Sequence, residues 1–116
     1  MLPQYFTMPL FELAAIAPKD IVPGYAARFV HTETMTFSHL DIIAGSTIAD
    51  HAHIHEQVSQ VVEGIFELTV NGEIFRMQPG QVVVIPYNAR HSGVAITNCK
   101  VLDVFSPVRE DYKNLI

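Results

Sequence analysis

Four of the six histidines in this 116-residue chain fall in or beside two short windows. In His51-Ala52-His53, alternate residues of a strand face the same way, so both imidazoles are expected on one side of an extended segment. Two imidazoles on one rigid strand make a pre-organised half of a metal site. Gln57 follows after a short break and can add a carbonyl oxygen, and His91, far along the chain, can supply a third nitrogen. Imidazole suits zinc, iron, nickel, copper and manganese to differing degrees, whereas an amide oxygen is a neutral and fairly weak donor. Such a set leaves a divalent ion its full charge and keeps positions open for water or substrate. His55 and Glu56 lie between His53 and Gln57 and are alternatives, His55 as a ligand and Glu56 in place of Gln57. Spacing alone does not separate a metal site from histidines that merely hydrogen-bond, because a bare H-x-H arises by chance.

A second group lies in Asp103-Val104-Phe105-Ser106-Pro107-Val108-Arg109-Glu110-Asp111-Tyr112. Asp103 and Phe105 share parity on a strand and project to the same face. A carboxylate among apolar neighbours is costly to bury unless it is paired or functional. Pro107 ends the strand and can turn the chain back, carrying Arg109, whose planar guanidinium can hold a carboxylate bidentately. Beside a metal centre, an acid, a guanidinium and an aromatic wall are the parts needed to bind an anionic sugar and move a proton. The structural alternative is an Asp103–Arg109 salt bridge closing the strand end, with Phe105 as core.

Both groups depend on strands. From Tyr25 onward, short apolar runs alternate with turn signals and helical periodicity is weak. The pattern predicts strands over 25–31, 34–44, 48–53, 58–63, 65–70, 73–77, 81–85, 93–97 and 100–105. Asn71-Gly72 is the clearest turn, since both residues tolerate the positive φ of a two-residue type I′ hairpin. Antiparallel strands at this spacing make a sandwich or closed barrel. We therefore expect one all-β domain, with the barrel over 25–108 and residues 109–116 as a tail with a short helical turn. Residues 1–24 are expected to form an extension, with an edge strand over 11–16 that could be exchanged between the subunits of a homodimer.

Composition narrows the functional classes. The formal net charge is −5, and no run of Lys or Arg offers a footprint for nucleic acid or an anionic membrane. The single cysteine, Cys99, cannot form an intrachain disulfide, which suits a reducing compartment. The apolar start lacks a basic region and is broken by Pro3, Pro9 and Pro18, so it reads as neither signal peptide nor membrane span. A cytoplasmic protein with a small-molecule substrate is expected.

The joint spacing of these residues resembles the cupin superfamily, whose motifs run G-x5-H-x-H-x3,4-E-x6-G and G-x5-P-x-G-x2-H-x3-N. Here the first reads Gly45, His51, His53, Gln57 and Gly64, and the second reads Gly80, Pro86, Asn88 and His91. Gln57 stands where the motif has glutamate, Asn88 where it has glycine, and Ala95 where it has asparagine. The glutamine removes a negative charge from the ion's surroundings, and asparagine tolerates the left-handed backbone that glycine would supply. The resemblance implies a double-stranded β-helix, or jelly-roll barrel. It implies one divalent transition metal (nickel, zinc, manganese or iron) on His51, His53, Gln57 and His91. The H-x-H-x3-Q, P-x-N-x2-H and D-V-F-S-P-x-R-E-D segments further resemble small cupins that convert the unsaturated uronates of pectin and alginate breakdown to linear ketonised forms. That likeness implies Asp103, Phe105 and Arg109 as substrate residues. A different metal-dependent cupin enzyme, such as a dioxygenase or sugar isomerase, and a non-catalytic binding module are the other readings.

Overall fold

The computed structural model describes residues 10–115. Ten strands run in chain order: β1 Lys19–Val22, β2 Tyr25–His31, β3 Thr36–Ile42, β4 Thr47–His51, β5 Glu56–Glu63, β6 Phe66–Val70, β7 Glu73–Met77, β8 Val82–Ile85, β9 His91–Ala95 and β10 Cys99–Ser106. One helical turn, α1 Glu110–Lys113, follows. The strands form a six-stranded sheet, ordered β1-β2-β3-β10-β5-β8, and a four-stranded sheet, ordered β4-β9-β6-β7. All pairs are antiparallel. Among the described residues, no helix is long and apolar enough to cross a membrane.

The alternation in the sequence becomes the two faces of each sheet. Along β3 the odd-numbered side chains sit outward and half-buried, while Thr36, Ser38, Leu40 and Ile42 point in and are buried. Tyr25, Ala27, Leu40, Ile42, Val61 and Val101 form the apolar floor of the larger sheet, packed against Phe66, Leu68 and Val70 of the smaller one. Asn71 and Gly72 have φ of 48° and 82°, which fits the tight β6–β7 hairpin that pairs Val70 with Glu73. Asn88 has φ of 63°, so it takes the left-handed backbone expected of it just before His91.

The beginning of the described chain differs from expectation. Instead of an edge strand over 11–16, Leu13–Ala15 forms a 3₁₀ turn, closed by hydrogen bonds from Ala15 N to Glu12 O and Ile16 N to Leu13 O. Leu-Ala-Ala favours helix and lacks the β-branched alternation that holds a strand. The edge position goes to β1, where Ile21 and Val22 are bracketed by Pro18 and Pro23 and pair with β2 of the same chain. The part of the expected exchanged segment that precedes Leu10 lies outside the described residues.

Candidate metal centre

His51 ends β4 and His91 begins β9, and the register sets them directly opposite each other. Their ring centroids are 4.2 Å apart. His53 lies just past the end of β4, so the same-strand expectation is corrected: the chain has left the ladder before its second imidazole. That ring still turns in, 5.7 Å from His51 and 4.9 Å from His91. One ligand atom from each of the three histidines lies within 4.8 Å of the others, a group able to hold a metal ion.

The hydrogen bonds of the rings suit that role. Nδ1 of His51, His53 and His91 lies 2.7, 3.0 and 2.9 Å from the carbonyl oxygens of Ala49, His55 and Ala89. A backbone carbonyl can only accept, so each neutral ring places its proton on Nδ1 and leaves Nε2 with a lone pair. Burial lowers the pKa of His91, and burial with the charges of Arg109 and His91 lowers that of His53 to about 4. Both rings are therefore neutral near pH 7. His91 Nε2 is buried and has no partner among the described residues.

Gln57 strengthens the case. Its Oε1 lies 3.1 Å from His53 Nε2 and its Nε2 lies 3.0 Å from Ser59 Oγ. Ser59 Oγ is in turn 2.6 Å from Asp103 Oδ1. When Asp103 is a carboxylate, the serine must give it its one hydrogen and accept from the Gln57 amide, which fixes Oε1 toward His53. His53 has already given its proton to His55 O, so two lone pairs face each other across the 3.1 Å gap. A cation with bonds of about 2.1 Å places neighbouring ligands at right angles about 3.0 Å apart, so the donors present fit an ion.

Glu56 is exposed and Gln57 buried, because adjacent strand residues face opposite ways. His55 stacks edge-on with Phe105, centroids 6.4 Å apart, and stands outside the trio. Its buried Nδ1 has no hydrogen-bond partner among the described residues.

Asp103, Phe105, Arg109, Gln57, His51 and His91 all line one cavity inside the barrel. Burial raises the Asp103 pKa to about 6, against the hydrogen bonds from Ser59 and Gln57 and the charge of Arg109. Arg109 is buried, with Cζ 4.8 Å from the Phe105 centroid and 3.8 Å from that of Tyr112. Its ion pair is with Asp111, at 2.7 Å. No Asp103–Arg109 salt bridge forms within 4.0 Å among the described residues, so the structural alternative is not the arrangement found. Ser59 and Tyr112 also line the cavity. Asp111 closes the D-V-F-S-P-x-R-E-D segment and Tyr112 follows it, yet neither takes a role from sequence alone, and Ser59 does not stand out. For Ser59 the available signal was its shared parity with Gln57 on β5.

Residues 38–105 match the family model described as the cupin domain. The chain is a cupin. Over 70 residues it is 34% identical to "Pectin degradation protein KdgF" of Dickeya dadantii (strain 3937), covering 59% of this chain and 64% of that protein. This cupin thus spans less than two thirds of the curated relative. Among solved structures, KdgF from Halomonas sp. is 31% identical, with a TM-score of 0.85 over 91% of this chain and 99% of that one. An RmlC-like cupin from Shewanella frigidimarina NCIMB 400 is 29% identical, also with a TM-score of 0.85, over 91% of this chain and 96% of the other.

Proposed function

We propose that this cupin holds one divalent transition metal on His51, His53, Gln57 and His91 and catalyses ring opening and ketonisation of 4,5-unsaturated uronates. The observation that carries the reading is one cavity lined by an acid, a guanidinium and two imidazoles, His51 and His91, that with His53 form a metal-competent trio. Similarity to a protein named for pectin degradation supports the same substrate class.

When bound, the ion supplies Lewis acidity toward the sugar oxygens. Arg109 binds the C6 carboxylate, and Phe105 and Tyr112 wall the ring and exclude water. The Asp103 carboxylate takes the proton of the anomeric hydroxyl as the bond from C1 to the ring oxygen breaks. This leaves an aldehyde at C1 and an enolate across C4 and C5. The same carboxyl returns the proton to C4, and C5 becomes a ketone. The step is an isomerisation and needs no further reactant. Ser59 and Gln57 hold the acid in place from behind. The enclosed space is about 40 Å³, enough for water but less than a sugar ring. The ring therefore sits at the mouth of the cavity.

The test incubates metal-loaded protein with unsaturated galacturonate and follows loss of the enol-ether absorbance and formation of the ketone. Acceleration over buffer is expected. No acceleration at confirmed metal occupancy rejects the substrate class.

A further inference from the structure

Among the described residues, Arg109 is the one Lys or Arg in the cavity lining, and its contacts differ on its two sides. Asp111 takes the guanidinium by the edge nearest the chain, with Nε to Oδ1 at 2.9 Å and Nη2 to Oδ2 at 2.7 Å. Asp111 itself is not part of the cavity wall, and its side chain is 59% exposed against 9% for Arg109. Cζ of Arg109 lies 4.8 Å from the Phe105 centroid and 3.8 Å from that of Tyr112, two rings set nearly at right angles to each other, at 83°. The backbone N–H of Arg109 donates to the buried Thr36 Oγ1 at 2.9 Å. A ligand inside the barrel therefore reaches Arg109 from the side that Asp111 does not occupy.

We propose that Asp111 is a positioning residue for substrate carboxylate recognition: it grips Arg109 from outside, so that the terminal Nη1–Nη2 edge is presented to the C6 carboxylate. This inference rests on the uronate reading above. A guanidinium has two edges, each able to bind a carboxylate with two parallel hydrogen bonds. Were Asp111 a stand-in that substrate displaces, binding would exchange one carboxylate for another at little net gain. Held by one edge, Arg109 keeps its charge-bearing fork fixed and offers the second. Asp111 and Arg109 also lie on the same short segment, two residues apart. The guanidinium holds the Asp111 carboxyl below its ordinary pKa, so the pair stays ionic across the working range.

The experiment compares unsaturated galacturonate with its C6 methyl ester on the metal-loaded full chain, in wild type, Asp111→Ala and Asp111→Asn. Removing the grip costs the orientation of one charge-assisted contact, so D111A is expected to raise KM for the acid about tenfold. Its kcat and its KM for the ester stay near wild type, and the preference for acid over ester collapses. D111N keeps one acceptor for Nε and is expected to fall between. Thermal unfolding checks the fold, and D111N carries the test if D111A does not fold. An unchanged acid-to-ester ratio, or a lower KM for the acid in either variant, overturns the proposal. A wild type that turns over neither compound overturns the uronate reading itself, and the assignment of Asp111 with it.

Discussion

The two ends of the larger sheet share one backbone register and do opposite things. At the closed end, Leu40, Val101 and Val61 stand side by side across β3, β10 and β5, all buried and apolar. Two residues further along each strand, the same inward positions are Ser38, Asp103 and Ser59. Two further again they are Thr36, Phe105 and Gln57. One pleat separates core from chemistry. The apolar end stabilises by removal from water, about 1.5–3 kcal/mol for a fully buried Val or Leu. The polar end offsets the cost of desolvation with a chain of hydrogen bonds running from Gln57 through Ser59 to Asp103. The lesson is that the barrel needs no separate loop scaffold for its site. The ladder that orders the core also orders the acid.

Breaking the open end at its metal-competent group has the largest expected effect. His91→Ala removes the most buried of the three imidazoles. We expect metal affinity to fall by more than the roughly 10–100-fold seen when only a supporting group is lost, with ketonisation falling alongside. Isothermal titration with nickel or zinc and an activity assay check this. Unaltered affinity would remove His91 from the ion. Asp103→Asn comes next. The rate constant is expected to drop about 10²–10⁴-fold, the usual worth of a positioned acid–base group, while metal content stays the same. In the wild type, kcat/KM should rise with pH as Asp103 ionises, at or below the value of about 6 set by burial, since a bound cation favours the carboxylate. The same group has a stability signature in metal-free protein. Its folded pKa lies above that of the unfolded chain, so the native state holds a proton that the unfolded state has released. Wild type therefore loses stability as pH rises from about 4 through 6, whereas D103N does not. The gap between them should widen by about 3 kcal/mol over that window, read by denaturant unfolding.

The closed end breaks differently. Leu40→Ala, at a position 4% exposed in the core, is expected to cost about 2–5 kcal/mol of stability. Leu40 also borders the cavity, at its apolar floor, but it lies one pleat from Asp103, so activity per folded molecule should fall far less than in D103N. A variant that keeps its stability but loses kcat would erase the division drawn between the two ends.

Much of this division was readable from residue types. Parity put Asp103 with Phe105, and the turn chemistry of Asn71-Gly72 set one hairpin. Strand alternation is local and exact in period, so the fold followed from it. What could not be read was the register between strands. Nothing in the sequence says that Ser59 faces Asp103, because a one-residue slip between β5 and β10 would send the serine to the other side. The Arg109 partner was hidden for a related reason. Asp111, two residues away, captures the guanidinium because the chain turns at Pro107 into α1, a bend that strand parity does not describe. The 3₁₀ turn at Leu13–Ala15 shows the limit from the other side: its apolar run is too short for its period to be told.

The smallest effect sharpens the comparison most, because Ser59 joins the metal side of the open end to the acid. Its hydroxyl accepts from Gln57 and donates to Asp103. In Ser59→Ala the carboxylate loses a donor to its charged form, so the Asp103 pKa moves upward, by no more than about one pH unit for a single hydrogen bond. The rising limb of kcat/KM against pH should move up by the same amount, with the plateau near that of wild type. Near neutrality the rate falls about twofold or less. The Gln57 amide also loses its acceptor and becomes free to rotate, so metal affinity is expected to weaken by up to about tenfold. A drop in plateau rate with no movement along the pH axis would mean that Ser59 only packs, and that the acid and the imidazoles work without this link. A shift with unchanged metal affinity would keep the serine as a partner of Asp103 and free Gln57 from its dependence on it.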